Sequence, residues 1–333
     1  MNRLGRIFSV QIFGESHGPM VGVVIDGCIP GISILESDFL YDLERRRSTG
    51  LNGTTPRKEE DTPVILSGVF QGKTTGAPLT VAFYNKDVQS GSYELHRQIP
   101  RPGHADFTAS KKFYGHNDYR GSGHFSGRLT LPLTAAGVIA KKILQTSITG
   151  KINIQADLIE AGGQKDIASA IQQAILDQDS IGGIIECKVQ GLPIGLGEPF
   201  FDSIESMISH AVFSIPAVKG IAFGSGFSAA TMKGSEHNDA IIDTNGKTTT
   251  NNAGGINGGL TNGNELIFHV AIKPTSSTPQ EQSSINVTTG RVEDFQVKGR
   301  HDLCIALRAP VVVEAVTAIV LADFLLIKKS QQQ

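Results

Sequence analysis

The chain has 333 residues, 39% hydrophobic and 19% charged, enough for one large domain or two ordinary ones and for a sizeable core. With 30 Lys and Arg against 32 Asp and Glu, the net charge is −2, without the positive excess that a general nucleic-acid or membrane-surface binder needs. Glycine stands out at 38 residues, about 11% against a usual ~7%. It shows no Gly-X-Y period, so the excess points to tight turns or to backbone in close contact with a ligand.

Arg3 and Arg6 precede an apolar stretch, residues 7–13, that is interrupted by Gln11 and runs into Gly14. It is too short for the apolar core of a signal peptide. Residues 19–25 read as a strand. A helix is predicted from a capping box at Ser33 and Glu36, with Phe39, Leu40 and Leu43 on one face before Arg45-Arg46-Arg47. Strands are expected at 64–70 and 79–85, then helices at 132–146 and 166–178. A further helix is expected at 199–211, with Phe200, Ile204, Met207 and Ile208 apolar, then strands at 220–223 and 266–272. The tract 309–327 is long and apolar but contains Glu314 and Asp323. A bilayer would hold those acids at high cost, so the tract predicts a buried helix over 310–328.

Short turns between strands favour antiparallel pairing, and the predicted class is α+β with helices packed on sheets. Residues 22–32 and 183–195 echo one another as a β-branched strand followed by a Gly/Pro turn and a helix. The echo predicts one domain, 1–333, of two similar halves, about 1–150 and 151–330. Cys28, Cys187 and Cys304 are odd in number and widely spaced. They fit a reducing compartment rather than a disulfide scaffold, and the protein is expected to be cytoplasmic.

Gly14-Glu15-Ser16-His17-Gly18 matches the G-x-S-x-G nucleophile elbow. That elbow needs a helix after it, whereas a strand is predicted here, which demotes a serine hydrolase acting through Ser16. Residues 68–74 approach a phosphate loop, but Ser67 stands where glycine is required. A strand turn with an exposed Lys73 is the better reading.

More informative are His and Arg residues inside glycine-rich turns. They occur as Arg101-Pro102-Gly103-His104-Ala105-Asp106, Arg120-Gly121-Ser122-Gly123-His124-Phe125-Ser126-Gly127-Arg128 and Gly299-Arg300-His301-Asp302, with Arg57 after the loop at 50–56. Guanidinium forks bind carboxylate and phosphate bidentately, so the pattern points to a small polyanion. Lys273-Pro274-Thr275-Ser276-Ser277-Thr278 adds an ammonium and hydroxyls, and residues 251–263 add backbone N–H groups among glycines. The nine His show no metal-ligand spacing.

Taken together, these blocks resemble the chorismate synthase family along essentially the whole chain. The resemblance rests on Phe13-Gly14-Glu15-Ser16-His17-Gly18, Asp42-Leu43-Glu44-Arg45-Arg46-Arg47, the 66–70 and 74–76 segments, and Arg101 to Asp106. It continues through 135–142, Gly234-Ser235-Glu236-His237-Asn238-Asp239, 251–262, 273–277 and 299–302, all in the family's order. It implies a β-α-β sandwich of antiparallel sheets and a homotetramer. It also implies conversion of 5-enolpyruvylshikimate 3-phosphate to chorismate by 1,4-elimination with reduced FMN, NADPH serving at most as reductant.

The resemblance further implies that His17 stabilises or protonates the departing phosphate. His104 protonates the reduced flavin, and Asp302 assists removal of the ring hydrogen. Arg46, Arg57, Arg101 and Arg128 bind substrate or phosphate. The flavin site comprises His124, Phe125, Ser126, Ala217, Gly258, Lys273, Pro274, Thr275, Ser276, Ser277 and Arg300. The chain departs from the family at Asn52, where an Arg is usual, and at His124, Phe125 and Leu129, where Arg, Ser and Glu are usual. Losing permanent positive charge weakens an anion site. A relative that binds flavin or a phosphorylated metabolite without efficient turnover therefore remains the alternative to an active synthase.

Overall fold

The computed structural model describes residues 2–47, 54, 59–86, 91–148, 151–297 and 301–331. Asn52, Arg57 and Arg300 lie outside them. In the first half, β1 (Arg3–Leu4), β2 (Ser9–Gly14) and β3 (Met20–Asp26) precede α1 (Leu40–Arg46), and β4 (Val64–Ser67), β5 (Val69–Phe70), β6 (Lys73–Thr74) and β7 (Leu79–Tyr84) follow. Next come α2 (Glu94–Gln98), α3 (Asp106–Lys112) and α4 (Thr130–Ser147). The second half runs β8 (Asn153–Ala161), α5 (Ile167–Asp177), β9 (Gly183–Gln190), α6 (Ile204–Val212), β10 (Val218–Phe223) and α7 (Gly234–His237). It ends with β11 (Ile256–Asn257), β12 (Leu260–Thr261), β13 (Leu266–Ile272), β14 (Glu281–Asn286), β15 (Arg291–Gln296) and α8 (Pro310–Gln331).

Two large antiparallel sheets result, beside the two-stranded pairs β5-β6, β11-β12 and β14-β15. One has the order β1-β2-β3-β7-β4, the other β10-β13-β9-β8. Their inward faces follow from side-chain alternation: Leu266, Phe268, Val270 and Ile272 are buried on β13, as are Ile185, Cys187 and Val189 on β9. Helix α4 packs on β3 and β7, α8 packs on β8 and β9, and the two helices pack most extensively on each other. Gly137 makes that approach possible, since a Cβ there would fall 2.3 Å from the Ala315 Cβ. The architecture is therefore sheet, helix pair, sheet, in the α+β class expected.

Helix α8 is apolar all round because protein surrounds it; 89% of its most apolar window is buried. Its two acids, which argued against a bilayer, tie it to both halves. Asp323 accepts backbone N–H groups from Arg6, Ile7 and Phe8 at 2.8–2.9 Å. Glu314 accepts both Arg45 guanidinium nitrogens, at 2.8 and 2.6 Å, Lys141 Nζ at 2.9 Å and the Ala156 N–H at 3.0 Å. One carboxylate thus joins α1, α4, β8 and α8.

Local structure departs from the sequence expectation in three places. The Ser33–Glu36 capping box does not form. Ser33 is drawn into a β-bridge with Lys73, and Asp38 Oδ2 accepts the Leu35 N–H instead, ahead of a 3-10 turn that leads into α1. The helix expected at 199–211 starts later, at Ile204, because Ser203 caps it through Ser206 N. Phe200 and Phe201 sit in the preceding 3-10 turn, 88% and 92% exposed. The strand expected at 64–70 breaks at Gly68, whose φ of +82° places it where a Cβ would fall 2.5 Å from Leu79 Cα.

Removing Glu314 takes from the partly buried Arg45 and Lys141 the more deeply buried of their two carboxylate partners and leaves both cations on Asp42 alone. Glu314→Ala is expected to cost about 3–5 kcal/mol, read from the denaturant midpoint. Burial alone would raise the Glu314 carboxyl, but Arg45 and Lys141 more than offset that and hold it below its ordinary value of 4.5. Its contribution is therefore fully present above that value and lost as pH falls through the lower folded one. Glu314→Gln should flatten this part of the acid limb of stability.

Candidate active site

The β2–β3 hairpin carries Ser16 and His17. Asn85 holds its turn by donating to the carbonyls of Glu15 and Gly18, at 3.1 and 2.8 Å. Ser16 N–H donates to Gly123 O at 3.1 Å, tying the hairpin to the glycine-rich segment at 120–128. The buried His17 ring lies edge-on to Tyr93, centroids 5.3 Å apart, and against Gly121. At Gly121 φ is +56° and a Cβ would fall 2.3 Å from His17 Cδ2, so the site requires glycine there. Because a strand follows Ser16, no nucleophile elbow forms, and Ser16 is fully buried. The phosphate-loop resemblance also dissolves, into the β5–β6 hairpin with Lys73 exposed.

A cavity of about 540 Å³ opens beside this hairpin. The segments at 101–105, 121–128, 213–218, 273–277 and 301–308 line it, with Arg46, Arg47, Glu59, Asp61 and Tyr93. Phe125, Ile215, Pro216, Ala217, Val218 and Ile305 give it an apolar wall. Arg46, Arg47, Arg101, Arg128, Lys273 and Arg308 outnumber the lining carboxylates Glu59, Asp61 and Asp302.

Arg46 and Arg128 are both buried and share Asp61, Arg128 at 2.8 Å and Arg46 at 3.5 Å. Arg46 also donates to Thr130 Oγ1 at 2.9 Å and to Gly127 O at 3.1 Å. Burial and the neighbouring Arg308 pull Arg46 down to about 9, against Asp61, and it stays cationic at neutral pH. Arg128 Nη2 and Arg308 Nε are buried with no protein partner, while Arg308 Nη2 donates to Asp302 Oδ2 at 2.6 Å. Three guanidiniums around two carboxylates are a standing demand for an anion.

Arg101 is differently placed. Its Nε and Nη2 grip both Asp106 oxygens, at 2.7 and 2.8 Å, Nη1 donates to Ser277 Oγ at 2.9 Å, and Nη2 also reaches Ser122 Oγ at 3.0 Å. It acts as a strut more than as a free fork. His104 contacts the same carboxylate, Nδ1 to Asp106 Oδ1 at 2.7 Å, and its Nε2 lies 3.3 Å from Ser122 Oγ. In the adjoining loop, Lys273 Nζ donates to Ser276 Oγ at 2.7 Å, and burial followed by Lys219 lowers its affinity for a proton. Thr275 Oγ1 is buried without a partner. Hydroxyls and cations facing an apolar wall fit a flat aromatic ring that carries a phosphate.

Of the residues singled out from sequence, the cavity brings together His104, Asp302, Arg46, Arg101, Arg128, His124, Phe125, Ser126, Ala217, Lys273, Thr275, Ser276 and Ser277. His17 stands behind Gly121. Pro274 packs near Gly182, and Gly258 lies in the exposed turn between β11 and β12, away from this cavity. Among the glycines at 251–263, Gly254 and Gly255 pack on the chain itself, while Gly258 has open space beside it. A Cβ on Gly254 would meet Gly224 N at 2.5 Å, and one on Gly255 would meet Glu265 O at 2.5 Å. His124 holds Gly14 O through Nδ1 at 2.9 Å and Asn2 through Nε2 at 3.2 Å, and Leu129 is buried in the core.

Sequence reasoning missed Arg308, Asp61 and Tyr93, and named His301 and Ser122 only as members of the glycine-rich turns, without a role of their own. His301 had a signal, lying between Arg300 and Asp302. Arg308 and Asp61 had none, since each acquires its partners from segments distant in the chain.

The profile of the chorismate synthase family matches residues 8–326. The chain is 63% identical over 329 residues to a chorismate synthase of Chitinophaga pinensis, covering 99% of this chain and 98% of that one. It is 43% identical to one from Pyrococcus abyssi, covering 98% of each. A solved structure titled as the crystal structure of chorismate synthase superposes with a TM-score of 0.76 at 26% identity, over 97% of this chain and 93% of that one.

Asp61→Ala leaves two buried guanidiniums side by side. The expected cost is about 3–5 kcal/mol, read from chemical denaturation. Added sulfate should raise the midpoint of this variant more than that of the parent protein, because an anion can replace the missing carboxylate.

Proposed function

The chain belongs to the chorismate synthase family, and from that premise we propose how its cavity performs the family's reaction. The chain is a lyase that converts 5-enolpyruvylshikimate 3-phosphate to chorismate and phosphate, and the family works with a flavin. We take that flavin to be FMN in its reduced form, with NADPH at most as its reductant. We also propose a cytoplasmic homotetramer whose chain is one domain of two similar halves, about 1–150 and 151–330. Each half contributes one antiparallel sheet and one long helix, which supports the last point.

One observation carries the assignment of the site: Arg46, Arg128 and Arg308 converge in one cavity beside His104 and an apolar wall, and Arg128 Nη2 and Arg308 Nε lack protein partners. A substrate with two carboxylates and a phosphate needs such cations, and desolvated guanidiniums bind them strongly. Bound against the apolar wall, with Lys273, Thr275, Ser276 and Ser277 as donors, the flavin supplies the electronic chemistry of bond cleavage, while the protein binds, orients and excludes water. His17, behind Gly121, stabilises or protonates the departing phosphate. His104 holds a proton on the cavity wall for the flavin. Asp302, anchored by Arg308, assists removal of the ring hydrogen. Arg101 contributes charge and braces His104, and Arg57 and Arg300 complete the anion-binding set by their place in the family's blocks.

Phosphate release from the shikimate ester, measured anaerobically with photoreduced FMN, tests the assignment. Turnover above the no-enzyme control is expected. A folded, flavin-bound protein without turnover would favour the binding-only reading, for which the engagement of His124 with Gly14 and Asn2 is the supporting feature. His17→Ala and His104→Ala should each lower kcat by roughly 10²–10⁴ with unchanged thermal melting. Near-native rates in both would remove their acid–base roles.

A further inference from the structure

His104 does not stand alone on the cavity wall. Its Nδ1 lies 2.7 Å from Asp106 Oδ1, and the same carboxylate takes Arg101 Nε and Nη2. Arg101 Nη2 in turn sits 3.2 and 3.4 Å from the two ring nitrogens of His104. A guanidinium that close opposes a second positive charge on the imidazole, unless a carboxylate between them cancels it. Other groups around the ring do not supply that cancellation. His96 on α2 and His301 before α8 are each pulled down to about 4 by burial and then by Arg101, so both are neutral at neutral pH. Ser122, and Ser276 and Ser277 of the facing loop, bring hydroxyls to His104, Gly103 and Arg101. Among the described residues, Asp106 is the acid in contact with this ring. Burial would raise its carboxyl, but Arg101 and His104 hold it well below the usual range, so it is ionised throughout the working range of pH.

We propose that Asp106 is a positioning residue. Its carboxylate, braced by Arg101, holds the His104 ring through Nδ1–H, so that Nε2 is the nitrogen that gains and gives up the proton. This rests on the proton-transfer role proposed for His104. In the step, the proton on Nε2 passes to the bound acceptor, the imidazolium becomes neutral imidazole, and the other proton stays on Nδ1, hydrogen-bonded to the Asp106 carboxylate. Solvent returns the proton to Nε2. Ser122 Oγ, 3.3 Å from Nε2, marks the direction in which that nitrogen points. An amide in place of the carboxylate can donate to Nδ1, which selects the other tautomer and leaves the Arg101 charge uncancelled.

The test combines kinetics with a readout in the flavin-free protein. Asp106→Asn is expected to lower kcat by about 10²-fold or more with KM little changed. Asp106→Glu should restore part of the rate, and the His104→Ala/Asp106→Asn double variant should be no slower than His104→Ala. In histidine-labelled protein, ring ¹⁵N shifts should report the Nδ1–H tautomer in the parent and its loss in Asp106→Asn. If His104→Ala is slow but Asp106→Asn is within threefold of the parent, the inference fails while the role of His104 stands. An equal loss from Asp106→Asn with and without His104 likewise overturns it, assigning Asp106 to the architecture of Arg101. Near-native turnover in His104→Ala removes the His104 role itself. Matching melting curves, or failing those the Asp106→Glu spectra, separate positioning from misfolding.

Discussion

The structure depends on a buried carboxylate between two core helices. Glu314 lies inside a helix that is otherwise apolar on every side, and it is stable there because Arg45, Lys141 and the Ala156 N–H reach it from three other elements. A charge at that depth without partners would be costly, and the four-way junction makes the arrangement of α1, α4, β8 and α8 mutually dependent. Asp323 does the same with the N-terminal strand region. Gly137 then lets α4 and α8 approach so closely that their relative height is set by shape.

The height of that helix pair decides where the site forms. Gly137 and Ala315, which meet, each lie about two turns or less from the start of their helices, so the two N-termini stand at the same end. The segments that lead into them, 120–128 and 301–308, are the segments that line the cavity. Helix N-termini present unsatisfied N–H groups and the positive end of the macrodipole, which suits an anion-binding cavity. The cations of Arg46, Arg128 and Arg308 add to that field. A net charge of −2 over the chain conceals a cavity in which positive groups dominate.

Within the cavity, arginines divide into two kinds. Arg128 and Arg308 keep donor nitrogens without protein partners. Arg101, by contrast, is engaged on nearly every side, by Asp106, Ser277 and Ser122. Residue type alone does not separate these roles, because a guanidinium in a glycine-rich turn looks the same in either. The glycines divide likewise. Gly121 makes room for His17, whereas Gly254 and Gly255 make room for the chain's own backbone.

By itself, the amino-acid sequence determined what local chemistry can determine. Alternation and short turns indicated antiparallel strands, an apolar tract holding two acids indicated a buried helix rather than a membrane span, and ordered blocks of His, Arg and Gly indicated family and reaction. The tertiary structure alone decided which groups become partners. Asp61 bridges Arg46 and Arg128, and Arg308 and Asp302 face a cavity whose other wall comes from 213–218 and 273–277. It also decided that Ser33 leaves its capping box for a bridge to Lys73 and that Phe200 turns outward. The reason is physical: propensity and periodicity act over a few residues, whereas charge pairing, burial and close backbone approach are set by contacts between segments far apart in the chain.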